Sequence, residues 1–542
     1  MDWNNFWRIA ITLISLGMSG CQAGSAPPPV EPHSMLIGTN VNALRDWGTS
    51  FPFIDVFHSS RPLDTEGGGG VLLDRRGWIR RLDRGRVAVS PVLFDIQPGR
   101  LPAGDYTVLY DGDGKLEFGC ARLKRLDRSA RRAVIAIDGK SDCGLYLKIL
   151  SSAEDNPVRD IRVIMPGGIC AKDPFTRVES ASACPKGAYR AFADHDREWV
   201  FNPDYLRYLR HFSVARFMDA METNSRDHVQ RHWSDRPTPS DATWQNRGWP
   251  VEIMVALANR AEVDPWFTLP HAADDDYIRR FARYVKDHLD PARKVYIEYS
   301  NEVWNGIFPQ SEYALKMGKK LGLDRNEYYA AWKFYSRRSV EIFTLWDDVF
   351  GADQRNRLVH VMATQASNPG MTRMLLDYRQ AWKKTDALAV AAYFGGEAGV
   401  GDVRQVENMS QARFIRYLEK TALPRIFDEY RMNAKIAAKY HLPLVAYEGG
   451  QHLVGVGPAV DNPGLKEKFI AANRSPEMER LYLTMYRGWK AAGGQLFMHY
   501  ADPAQYSKWG SWGVKEYLAQ PDEQAPKYRA TIKMSRRGNN GV

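Results

Sequence analysis

From about residue 195 onward, short apolar runs alternate with amphipathic helical stretches, and this rhythm constrains the fold more than any other feature of the chain. Successive strands separated by helices must lie parallel, because a parallel neighbour is reached only through a crossover connection. The pattern predicts strands at 213–218, 265–269, 294–299, 358–363, 387–394, 442–450 and 495–500. Helices are expected near 205–212, 250–259, 273–288, 310–320, 326–349, 371–382, 425–440 and 476–491. The helix at 273–288 carries Tyr277, Ile278, Phe281, Tyr284 and Val285 on one face, a 3–4 spacing. An upstream run, Met35-Leu36-Ile37-Gly38-Thr39-Asn40-Val41, supplies one more strand. Eight alternating units make an α/β protein of the (β/α)8 TIM barrel class. An open doubly wound sheet is the alternative, but no G-x-G-x-x-G opens the alternation.

The alternation is interrupted once. Residues 86–165 hold short β-like runs separated by turn signals, among them Asp111-Gly112-Asp113-Gly114 after the run Tyr106–Tyr110. This texture predicts a small antiparallel β domain inserted after the first helix of the barrel. It could bind carbohydrate, or it could cap one end of a cleft. The expected plan is a first barrel unit at 35–85, the insertion at 86–165, the rest of the barrel at 166–520 and a basic C-terminal tail at 521–542.

The N-terminus reads as targeting sequence. Ile9–Gly17 is a short apolar run after Arg8, too short to span a bilayer as a mature helix. Met18-Ser19-Gly20-Cys21 resembles a bacterial lipobox, which implies a lipoprotein signal peptide at 1–20 and acylation of Cys21. The Gln22 that follows favours the outer membrane, so the expected location is the cell envelope, lipid-anchored; a secreted or periplasmic protein is the alternative. Residues 21–34, with three consecutive prolines, read as a tether. Four cysteines remain, Cys120, Cys143, Cys170 and Cys184, and an even count in an exported chain predicts disulfides. Three pairings are open; joining sequence neighbours is the simplest. No C-x-x-C or His-rich spacing accompanies these cysteines, so neither a metal nor another cofactor is expected.

The net charge is +10 over 542 residues. Part of it is clustered at Arg122, Lys124, Arg125, Arg128, Arg131 and Arg132, and part at Lys527, Arg529, Lys533, Arg536 and Arg537. An anionic polymer or membrane surface could use such charge, but a solvated basic face needs no partner. No recognised nucleic-acid motif accompanies it. Aromatics reach 12%, with 16 Trp and 26 Tyr, which suits both a large core and sugar-stacking platforms.

Two strand-like runs end in glutamate. One is Val295-Tyr296-Ile297-Glu298-Tyr299-Ser300-Asn301-Glu302, and the other is Leu444-Val445-Ala446-Tyr447-Glu448-Gly449-Gly450. In a parallel barrel the chemistry sits at the C-terminal ends of the strands. Two carboxylates there are the equipment for cleaving a glycosidic bond: one protonates the leaving oxygen, the other attacks the anomeric carbon, and the retaining form wants them roughly 5–5.5 Å apart. Asn301-Glu302 on strand four with Glu448 on strand seven resembles clan A glycoside hydrolases, the retaining (β/α)8 glycosidases. The resemblance implies that Glu302 is the acid/base, Glu448 the nucleophile, and Asn301 a contact to the sugar 2-hydroxyl. It also implies places in the pocket for Tyr393, at the end of strand six, and for Arg216 in strand two. His271, Trp304, Tyr500, Trp509 and Trp512 are further substrate-binding candidates. The clan's usual Trp ending strand eight is replaced by His499-Tyr500, so Tyr500 or a loop Trp must substitute. Glu298 is expected as a buried partner of an arginine, and Asp274-Asp275-Asp276 as an acidic helix start rather than a metal cluster.

The expectation is thus an exported hydrolase that cleaves O-glycosyl bonds in a β-linked polysaccharide or oligosaccharide by double displacement, acting within the polymer. A non-catalytic polysaccharide-binding lipoprotein and a lyase acting on an anionic polymer are the alternatives. A lyase would want a Tyr, His or Lys base with an Arg neutraliser rather than this carboxylate pair.

Overall fold

A computed structural model describes residues 35–535. The expected signal peptide and tether, with Cys21, Arg536 and Arg537, lie outside the described residues. Eight parallel strands close a barrel: β1 (Leu36–Asn40), β2 (Val214–Arg216), β3 (Asp264–Leu269), β4 (Val295–Tyr299), β5 (Leu358–Thr364), β6 (Ala387–Phe394), β7 (Leu444–Gln451) and β8 (Gly494–His499). Strand β1 pairs with both β2 and β8, so the sheet has no free edge. This is the TIM barrel that the alternation predicts.

The strands read as continuous apolar runs because both faces are buried. Val214, Trp266, Tyr296, Val361, Ala389, Val445, Leu496 and Met498 pack inside the barrel. Their neighbours Ala215, Phe267, Ile297, Met362, Leu388, Ala446 and Phe497 join the core shared with the outer helices. Gly38 is required where it stands: a Cβ there would lie 2.3 Å from the Met498 sulfur. Several tryptophans that could have served as sugar platforms, including Trp244, Trp249, Trp346 and Trp489, are core residues with almost no exposure.

The inserted β domain holds two four-stranded antiparallel sheets. One orders Asp64–Thr65, Ala88–Phe94, Cys143–Ser152 and Gly114–Gly119; the other orders Arg159–Ile164, Gly104–Asp111, Arg132–Ile137 and Arg122–Asp127. Together they bury a core of their own around Val92, Tyr106, Ile135, Leu147 and Ile161. Antiparallel strands also lie on both sides of 86–165, at Val71–Leu73 with Ile79–Leu82 and at Gly168–Cys170 with Asp173–Val178 and Tyr189–Ala191. The insertion does not follow the first barrel helix. It leaves the barrel directly after β1, and the helix Pro203–Leu209 comes on its return. That helix starts where it does because Asn202 caps it, accepting from the Asp204 amide, with Pro203 at its first position. Cys120 pairs with Cys143 and Cys170 with Cys184, joining sequence neighbours, and both bridges lie in the insertion.

The insertion is fastened to loops that follow β1, β2 and β8. The Phe94 amide donates to the Asp46 carbonyl, and the Ala242 amide to the Arg76 carbonyl. Gln505 donates to the Asp95 carbonyl at 2.9 Å. Glu516, nearly buried, takes Arg100 from the insertion at 2.6 Å and Arg474 from a barrel helix at 2.7 Å. The insertion therefore sits against the C-terminal mouth of the barrel.

The two basic clusters have different fates. Arg122–Asp127 forms an exposed edge strand whose charges discourage edge-to-edge pairing. The C-terminal segment as far as Ser535 is a packed helix rather than a free tail, although Lys533 stays exposed. The helix Pro526–Met534 packs on the helix Glu477–Ala491, with Tyr528, Ala530 and Met534 buried. Lys527 is fully buried and donates to the Ser511 carbonyl, while Arg529 and Lys533 both pair with Glu479. The apolar residues spaced along that segment outweigh its charge. Asp274 accepts from the Tyr277 amide at 2.8 Å as the cap of the helix Asp275–His288, so the aspartate run is the helix start it reads as. Among the described residues no helix is long and apolar enough to cross a membrane.

Candidate active site

The strand ends bring Asn40, Arg216, Glu298, Asn301, Glu302 and Glu448 together. Arg216 has no exposed surface, and its guanidinium is the hub. Its Nε and Nη2 donate to Glu298 at 3.0–3.2 Å, its Nη1 to Asn40 Oδ1 at 3.1 Å, and its Nη2 to Asn301 Oδ1 at 2.9 Å. Nη1 also lies 3.5 Å from Glu448 Oε2. Trp266 Nε1 donates to Glu298 Oε2 at 2.8 Å. Glu298 is thus the buried arginine partner expected from its place four residues before Glu302.

Local backbone geometry aims the two glutamates. Beyond β4, Ser300 and Glu302 take φ of 58° and 40°. Such left-handed conformations cost non-glycine residues about 1–3 kcal/mol and concentrate at functional sites. On β7 the mechanism is a bulge. Val390 pairs with Ala446 but Ala391 with Glu448, so Tyr447 is an extra residue in the ladder. Strict alternation after Val445 and Tyr447, both inside the barrel, would turn Glu448 outward. The bulge lets Tyr447 and Glu448 reach the mouth together.

The Tyr447 hydroxyl donates to Glu302 Oε1 at 2.7 Å, and Asn305 donates to Glu302 Oε2 at 2.9 Å. Glu448 is almost buried. Burial pushes its carboxyl well above the usual range, the charge of Glu302 pushes it further, and Arg216 opposes both.

Around the pair stand aromatic rings. Tyr393 lies 6.0 Å from Trp512, 6.5 Å from Tyr500 and 5.3 Å from His452, centroid to centroid. Trp512 is 5.7 Å from Tyr500, so this loop tryptophan does come to the end of β8. Burial drives His452 down to about 4, leaving it neutral. The Tyr500 hydroxyl donates to Asp219 Oδ2 at 2.8 Å. Burial pushes the Asp219 carboxyl up, and the Tyr500 bond pulls it back. Trp304 packs edge-on against Tyr335 and Tyr447.

Two candidates remain. Trp509 is 41% exposed, with Lys508 4.7 Å over its ring and its carbonyl accepting from Trp512 Nε1. His271 packs 5.3 Å from Tyr313; burial, with help from Arg231, lowers it to about 4. The residues sequence reasoning missed are Asn40, Asp219, Asn224, Tyr447 and His452. Asn224 Oδ1 accepts from both Asn301 and Gln310. Among the described residues no group of His, Cys, Asp and Glu is arranged to hold a metal ion.

No protein-family model matches the sequence, and no curated protein matches it. Solved structures match at low identity. One is a 4-O-α-L-rhamnosyl-β-D-glucuronidase from Fusarium oxysporum 12S, 12% identical with a TM-score of 0.37, covering 60% of this chain and 63% of that one. Another is the catalytic domain of a GH26 endo-β-1,4-mannanase from Bacillus sp. JAMB-750, 11% identical with a TM-score of 0.33, covering 59% and 75%. A GH5-4 broad-specificity endoglucanase from an uncultured bacterium is 13% identical with a TM-score of 0.31, covering 59% and 81%. The match thus spans less than two thirds of the first of these.

Proposed function

We propose that this protein is a retaining glycoside hydrolase acting on a β-linked polysaccharide or oligosaccharide. The observation that carries the reading is the meeting of Glu302 from β4 and Glu448 from β7 at one barrel mouth, tied together by Tyr447 and Arg216. Glu302 gives its proton to the glycosidic oxygen as that bond breaks. Glu448 in its ionised form, which the Arg216 guanidinium favours against burial, attacks the anomeric carbon and forms the glycosyl-enzyme. Water then attacks the same carbon, Glu302 takes its proton, and Glu448 leaves. Asn301, fixed by Arg216 and Asn224, is placed to bond the 2-hydroxyl. Tyr393, Tyr500 and Trp512 surround the sugar. The insertion, fastened to the mouth, supports the cap reading over a free binding module, and action within a polymer remains part of the proposal.

The test is product stereochemistry across a panel of β-glycans. The first product forms with retained anomeric configuration, and Glu448→Gln forms none. An inverted first product overturns the double displacement. The proposal includes a lipid anchor at Cys21 in the cell envelope: wild type partitions with membranes and Cys21→Ser does not, and equal recovery of both in the membrane fraction overturns the anchor.

A further inference from the structure

The mouth contains a carboxylate that the two-glutamate mechanism does not use. Asp219 follows β2 and is close enough to Glu448 for its charge to act on it, and both act on Tyr500. Its Oδ2 accepts from Tyr500, but its Oδ1 accepts no hydrogen bond from the described residues, and the side chain keeps partial access to solvent. Beside it, Glu222 is paired with Arg45. A deep carboxylate with an open oxygen next to a nucleophile is a built acceptor for a ligand's donor.

The surrounding charge says what kind of ligand. Glu302, Glu448, Asp219 and Glu222 make the mouth acidic. The nearby cations are engaged: Arg216 with Glu298, Glu448, Asn40 and Asn301, Arg45 with Glu222, Arg226 with Glu312, and Lys508 with Asp461. Arg231 is exposed and acts on His271. His271 and His452 are neutral. A uronate carboxylate seated beside Glu448 would meet Asp219 and the glutamate pair, where Arg216, the cation acting on Glu448, is already engaged with Glu298, Asn40 and Asn301, and a low-dielectric site penalises that heavily. The basic edge strand at Arg122–Asp127 belongs to the insertion's sheet, so the chain's net positive charge does not describe this pocket.

We propose that Asp219 is a specificity-determining residue: its Oδ1 accepts a ring hydroxyl of an uncharged sugar bonded at the nucleophile, restricting the enzyme to neutral β-glycans. This rests on the glycosidase reading above and deepens it.

The experiment has two arms. In the first, wild type is assayed on neutral, amino-sugar and uronic β-glycans. A neutral glycan is cleaved with kcat/KM at least about 10²-fold above any uronic one. In the second, chromogenic glycosides of the preferred sugar, each lacking one hydroxyl, are compared in wild type, Asp219→Asn and Asp219→Ala, with thermal melting as the folding check. One deoxy position costs wild type roughly 10–10²-fold. The same deoxy position costs the Ala variant nothing further, because the partner is already gone. Both variants are expected to lose that factor on the parent sugar. A uronic or amino-sugar preference in wild type overturns the proposal and leaves the glycosidase reading intact. So does a deoxy penalty unchanged in folded Asp219→Ala. Failure of wild type on every glycan overturns the glycosidase reading itself.

Discussion

The lower and upper halves of the barrel interior follow the same alternation and do opposite things. Below, Val214, Val361, Ala389, Leu496 and Met498 fill space with apolar side chains. Above, toward the C-terminal ends of β1, β2 and β4, Asn40, Arg216 and Glu298 sit equally deep with almost no exposure. The lower layer gains from desolvation. The upper layer loses by it, and recovers the loss only because the guanidinium of Arg216 is bonded on several sides. One half of the barrel stabilises; the other holds charge where water cannot relax it, which is the condition for strong electrostatic catalysis. Substitutions above should therefore cost activity, and substitutions below should cost stability.

The largest expected effect is at Glu448. Glu448→Ala should lower turnover by roughly 10⁴-fold or more, because no covalent intermediate can form, while the melting temperature holds or rises. Azide should restore part of the rate and give a glycosyl azide of inverted configuration, entering from the vacated face. Glu302→Ala should instead spare the glycosylation step on dinitrophenyl glycosides, which need little protonation, and azide should then give retained product. Wild-type kcat/KM should fall on its acidic side at a pH above the ordinary glutamate range, since burial and Glu302 raise the group that must be ionised. Azide products of the same configuration from both variants would reverse or remove the assigned roles.

Next comes Arg216, where the two halves differ most. Arg216→Met should abolish activity and also cost about 3–5 kcal/mol, because Glu298 is left buried without its cation. The double variant Arg216→Met/Glu298→Gln should recover much of the stability and none of the activity. Equal destabilisation by single and double variants, measured by denaturant melts, would mean that the ion pair is not what sets the cost. Met498→Ala, in the lower half, should cost roughly 2–5 kcal/mol through the cavity above Gly38, with kcat nearly unchanged at a temperature where the variant is folded.

The same contrast explains what the sequence discloses. Barrel strands and both glutamates are legible because burial on two faces makes each strand a continuous apolar run, and a charged residue closing such a run stands out. Tyr447 as a bulge is not legible, since an extra residue in a ladder is a property of how β7 pairs with β6. Asp219 has no local signal either; its meaning comes from Tyr500, 281 residues away along the chain. Lys527 reads as surface charge, yet the helix face around it is apolar enough to bury it over Tyr506. The insertion's outer hairpin at Val71–Leu73 and Ile79–Leu82 is hidden by its glycine and arginine content, and its departure before the first helix leaves no mark in the periodicity.

The smallest expected effect tests whether a buried carboxyl beyond the candidate site behaves like the upper or the lower half. Asp502, just after β8, is almost fully buried. It joins Tyr205 at 2.7 Å and the Asn42 amide at 3.2 Å, tying the β8 loop to the β1 loop and the first barrel helix. Burial raises its carboxyl to about 8. No cation is hydrogen-bonded or ion-paired to it among the described residues, so, unlike Glu298, it avoids the cost of charge by staying protonated. The sign of the linkage follows. In the unfolded chain this group ionises near the ordinary aspartate value, and in the folded chain only near 8. Its contribution to stability is therefore full in acid and is lost as the pH rises through that interval. Asp502→Asn should flatten this part of the profile: wild type should lose stability relative to the variant between about pH 5 and pH 8.5, with a slope of at most about 1.4 kcal/mol per pH unit. Melting temperatures at those two values decide it. Parallel profiles for wild type and variant would mean that Asp502 is ionised and balanced in the folded protein, and would move it to the charged half of the comparison.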